Sequence, residues 1–209
     1  MNSYPSISLP DNIVQESTNM SLEDVKTYFN WFMSVKNERL KLFNNQVFNS
    51  SEVELSANRL QGIYYFFKDH LTVKERTSEE IEQERMKLPE ELRKIHQIPD
   101  YEIVEPTHSI MFDAGIYFGE LLRKEVPNTE WSIETDRKMA NYGKPVLVKK
   151  GMNTDVNPFG VFYVIVLKIQ KATIEEDFLF NTYQKSKSKL GGKQKDFLAM
   201  VNQWSKGKK

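Results

Sequence analysis

Apolar residues recur near helical spacing at Leu22, Val25, Phe29, Phe32, Met33, Leu40, Phe43 and Val47, interrupted by Lys36, whose alkyl stem can lie along the same stripe. Ser21 precedes the stripe as an N-cap, with Asp24 at the position that returns a hydrogen bond to the cap. A second stripe runs through Val53, Ala57, Leu60, Tyr64, Phe67 and Leu71, with Ser51 as its predicted cap. The short Asn/Ser segment between the two stripes predicts an antiparallel helical hairpin. A third helix is expected from Thr107 to Val126, with Ile110, Met111, Ala114, Tyr117, Phe118, Leu121 and Leu122 on its apolar face and Pro127 as its stop.

Beyond Pro127 the period changes from 3.6 to 2. Trp131 to Thr135 alternates, and so do Val146 and Val148. From Phe159 to Ile169 every odd position is apolar, and Phe162, Val164 and Val166 between them are apolar too. Two apolar faces predict a long central strand near 159–169 covered on both sides, one side by the helix at 107–126. Tyr101 to Val104 reads as a short edge strand, residues 174–185 as a helix, and Phe197 to Trp204 as a last short amphipathic helix. The expected fold class is α+β: the N-terminal hairpin and a central helix packed on a small, mainly antiparallel sheet. Residues 1–20 read as a mobile arm, 21–185 as one domain (helical part 21–126, sheet part 127–171), and 186–209 as a lysine-rich helix or tail.

Charge adds two local features to a balanced whole, since 29 basic and 29 acidic residues leave no net charge on the 209-residue chain. Overall attraction to nucleic acid or an anionic membrane is therefore not expected. Residues 75–105 nevertheless hold ten acids against five bases, and residues 185–209 hold eight lysines against Asp196. The absence of cysteine excludes disulfides, thiolate metal sites and cysteine nucleophiles. The first twenty residues have neither the basic nor the apolar region of a secretory signal, and the run Val161 to Leu167 is too short to cross a bilayer, so a cytoplasmic location is expected.

Candidate chemistry is sparse. His70, His96 and His108 are isolated, and no phosphate-loop, dinucleotide or nucleophile-elbow motif is present. No catalytic residue, metal or cofactor is assigned. Gly115 and Gly119 lie one turn apart in the third helix, where each costs about 1 kcal/mol relative to alanine, so close backbone packing against the sheet is expected there. Glu120 stands three residues before Arg123, placed for an ion pair, and Tyr117, Glu120, Arg123 and Trp131 are the candidate binding residues around a shared cleft.

The segment carrying Gly115, Tyr117, Gly119, Glu120, Arg123, Trp131, Gly143, Pro145, Asn157, Pro158 and Phe159 resembles a pattern met in small bacterial α+β proteins of no assigned activity, among them toxin-immunity and accessory proteins. The resemblance implies a bacterial source and a structural role for these residues. The first expectation is thus a non-catalytic protein-binding module, immunity-like or accessory, meeting another protein through the acidic 75–105 region or the surface around Glu120 and Trp131. A homodimer through an uncovered face of the 159–169 element is a further expectation. The rival is a nucleic-acid or anionic-surface accessory protein acting through residues 185–209. A third reading, an enzyme with dispersed residues, requires a cleft bringing Glu120 or Asp113 beside His108 or Tyr117.

Overall fold

Ser21 accepts the Asp24 N–H while the Asp24 carboxylate accepts the Ser21 N–H, and this reciprocal cap starts helix α1, Leu22–Phe48. The computed structural model describes residues 4–10, 20–88, 90–95, 97–152 and 154–191. The remaining elements are α2 (Leu60–His70), β1 (Val73–Glu75), α3 (Ser78–Lys87), α4 (Glu90–Arg93), β2 (Tyr101–Ile103), α5 (Thr107–Glu125), β3 (Thr129–Ile133), β4 (Pro145–Lys149), β5 (Asp155–Val156), α6 (Pro158–Gln170) and α7 (Phe178–Gly191). Strands β1 and β2 form one antiparallel pair, and β3-β4-β5 form a second antiparallel sheet. The fold class is α+β, as the change of period predicts.

Helix α5 is the centre of the molecule. Its middle, residues 113–119, is buried on all sides, and the helix packs against α1, α2, α6, α7 and β3. Its glycines answer to close neighbours: a Cβ on Gly119 would fall 2.3 Å from the Trp131 indole, and one on Gly115 would fall 2.5 Å from the Phe159 ring. The close packing against the sheet expected of both glycines is present at Gly119, whereas at Gly115 the close neighbour belongs to a helix. Helices α1 and α2 run antiparallel, since Phe48 touches Gly62 while Phe43 meets Phe66 further along α2.

The segment 159–169 is the main correction, because it is helix α6 and not a strand. Asn157 accepts the N–H groups of Phe159 and Gly160 (3.1 and 3.0 Å), and Pro158 occupies the first turn where its missing N–H is harmless. These start signals prevail over the β preference of the valines and aromatic residues that follow. Burial shows the period that uniform apolarity hides: Pro158, Val161, Phe162, Ile165 and Val166 are buried, whereas Tyr163 and Val164 are exposed. One face is covered, by α5 and α7, and the expected cover on both faces is not found. The sheet is correspondingly smaller than the 127–171 expected of it.

Two smaller corrections follow from side chains that tie down backbone. Helix α2 begins after a 3₁₀ turn capped by Ser56, not at Ser51, because the buried Asn44 amide holds the carbonyls of Ser50 and Glu52 (2.7 Å each) in a loop. Residues 4–10, part of the expected arm, lie against the body: Tyr4 is buried, and the Ile7 N–H donates to Ser109 at 2.8 Å. The helix expected at 197–204 lies outside the described residues.

Candidate functional site

Of the four residues expected to share a cleft, three meet, with Trp131 buried, Glu120 largely so and Arg123 reaching the surface. Glu120 accepts from Trp131 Nε1 at 2.8 Å, from Lys36 Nζ at 3.1 Å and from Arg123 Nη1 at 2.7 and 2.9 Å. Burial alone would raise its carboxyl, but the Trp131 hydrogen bond and the charges of Lys36 and Arg123 hold it below the usual carboxylate range. Lys36, which interrupts the α1 stripe in the sequence, is therefore the buried partner of α5. Tyr117 points elsewhere: its hydroxyl donates to the Glu54 carbonyl at 2.8 Å and accepts the Ser56 N–H at 3.1 Å, fastening the loop before α2.

A second buried charge lies about two turns earlier on α5. Asp113 is fully buried, receives Arg39 through two hydrogen bonds of 2.7 and 2.8 Å, and accepts the Tyr4 hydroxyl at 2.5 Å. Burial pushes its carboxyl up to about 6, with the Glu105 charge adding to the rise and Arg39 and Tyr4 opposing it. His108 donates to the Ile103 carbonyl at 2.7 Å, and His70 faces the Phe66 carbonyl at 2.8 Å. Glu120, Asp113, His108 and Tyr117 thus have separate partners among the described residues. Among the described residues no group of acids and histidines has the arrangement to hold a metal ion, and no helix is long and apolar enough to cross a membrane.

The surface shows a different feature. Between β1 and β2 the chain leaves the body for residues 76–100, and no described side chain in that excursion is buried. Its base is closed by the Arg76 N–H on the Asp100 carbonyl (2.8 Å) and by the Arg76 guanidinium on the carbonyls of Pro99 and Tyr101 (3.3 and 2.8 Å). Thr77 and Glu80 cap α3 reciprocally. Arg85 and Lys87 pair with Glu82 and Glu84 within the excursion and Lys74 of β1 pairs with Glu80, while Glu79, Glu90, Glu91 and Asp100 carry no ion pair among the described residues. Among these charges Met86, Leu92 and Ile95 are exposed, Ile95 at 77%.

A cleft of about 640 Å³ opens where the excursion returns, between residues 97–101 and the last turns of α6. Its walls include Pro99, Tyr101, Tyr163 and Leu167, and its polar groups include Asp100 and Gln170. Tyr101 holds a buried hydroxyl without a hydrogen-bond partner among the described residues. The sequence places 75–105 as an acidic connector, but it carries no signal for this cleft, whose halves lie some sixty residues apart. The lysines of 185–191 are partly engaged by the body, Lys187 with Glu125 and Lys189 with the Asp155 carbonyl, and residues 192–209 lie outside the described residues. No family model, curated protein or solved structure matches the chain.

Proposed function

We propose that the chain is a non-catalytic protein-binding module, immunity-like or accessory in kind and working in a bacterial cytoplasm, whose contact surface is the 76–100 excursion. The observation that carries the reading is the combination, among the described residues, of no buried side chain, acids without an ion pair and exposed Met86, Leu92 and Ile95 in one projecting segment. Large apolar side chains kept in water beside free charges are typical of a surface that becomes buried on association. The excess of acids favours a basic partner surface and fast, salt-sensitive encounter. The surface around Glu120 and Trp131, the other expected contact, is a weak candidate because both side chains are largely buried.

The test is recovery of partners from the native cells on the full chain, on Ile95→Ser and on Glu90→Lys. Both changes fall on exposed residues of the excursion and leave the core intact. The expected result is one specific protein on the full chain, lost on both variants and weakened by added salt. Recovery of nucleic acid alone, or of a protein unaffected by either change, would overturn the reading.

A further inference from the structure

We infer that the cleft between residues 97–101 and α6 takes an arginine side chain presented by the partner protein, an inference that rests on the binding role proposed above. A guanidinium is flat, carries five N–H donors and no acceptor, and stacks on aromatic faces. The cleft offers the matching set. Tyr101 and Tyr163 supply two rings, and Asp100 supplies a carboxylate with no ion pair among the described residues. Gln97 and Gln170 add side-chain carbonyls that accept, and the unpartnered Tyr101 hydroxyl adds another acceptor. Pro99 and Leu167 present apolar surface for the three-carbon stem.

The surroundings have the same sign of preference. The excursion that forms one wall is acidic overall, so cations are concentrated at its surface. Arg76, at the base of that wall, has its guanidinium on the carbonyls of Pro99 and Tyr101, and the Asp100 carboxylate has no ion pair among the described residues. Lys171, on the opposite wall, is the group that opposes a cationic guest. It is exposed, and its charge is a useful control. A lysine guest fits less well, because its ammonium is compact and strongly hydrated and has no flat face for the tyrosines. The volume, about 640 Å³, is ample for one side chain and the flanking backbone of an extended peptide.

The test uses the full chain and three fluorescent, end-capped tripeptides with arginine, lysine or citrulline between two glycines, followed by fluorescence anisotropy. The expected result is that arginine binds about tenfold tighter than lysine or citrulline. Asp100→Asn and Tyr163→Ala, both at exposed positions, should each erase the preference without shifting the thermal melt, and Lys171→Glu should tighten arginine binding. Equal binding of arginine and lysine, or a preference that survives both Asp100→Asn and Tyr163→Ala, would overturn the assignment. If the preference is missing while Ile95→Ser and Glu90→Lys still abolish partner recovery, the cleft assignment falls and the binding role stands. If the preference is present and partner recovery ignores those two changes, the pocket stands and the excursion is not the contact.

Discussion

Removing the Glu120 carboxylate leaves the Lys36 ammonium and the Trp131 N–H without their shared acceptor inside the protein. Glu120→Ala should therefore lower the unfolding free energy by about 3–5 kcal/mol, the usual consequence of breaking a buried pair, as measured by urea denaturation at neutral pH. The two buried acids of α5 act in opposite senses as pH changes. Glu120 is held below its ordinary range, so its contribution is present above the unfolded value and lost as pH falls through the folded one. Asp113 is raised from 3.8 to about 6, so the folded state keeps a proton that the unfolded chain has released, and this contribution declines as pH rises through that window. Thermal melts of wild type and Asp113→Asn from about pH 4 to about pH 7 should diverge steadily in favour of the variant. How much of this is readable in sequence depends on distance along the chain. Glu120 and Arg123 are three apart and their pairing is legible, but Lys36–Glu120 and Arg39–Asp113 join α1 to α5 and have no local sign.

The α6 segment shows where pattern reading fails for a physical reason. Apolar residues on both the buried and exposed sides erase the contrast that distinguishes a 3.6 period from a 2 period. The start signal remained: Asn157 followed by Pro158 is a helix entrance as much as a strand entrance. In a strand, Val164 and Val166 would share a face; in the helix, Val164 is exposed and Val166 is buried. Val164→Asp should accordingly change stability by less than about 0.5 kcal/mol, and Val166→Asp should cost more than about 4 kcal/mol, by chemical denaturation. Helix α5 was legible from its apolar face and the stop at Pro127, and its two glycines foretold a close approach. Gly119→Ala should cost about 1–3 kcal/mol, since the Trp131 ring that would have to yield is packed by Phe32 and Phe159.

At the scale of the whole molecule, the body and the excursion divide the work. The body buries its apolar side chains around α5, while the described residues of 76–100 contribute none of the buried core. Joining Arg76 to Asp100 through Asn-Gly, a turn suited to an antiparallel pair, should leave the midpoint of thermal unfolding within a few degrees and the stability within about 1 kcal/mol. Loss of cooperative unfolding in that variant would show that the excursion supports the fold. The β1–β2 ladder has one more consequence. Glu75 and Tyr101 are direct partners across it, so the chain leaves and returns at a single point whose closure is already secured. For a flexible loop closed in this way, doubling its length adds only about 0.6 kcal/mol of lost entropy. Natural variation can therefore lengthen, shorten or exchange the segment while the rest of the chain is inherited unchanged, and related chains should differ most in size at this one position.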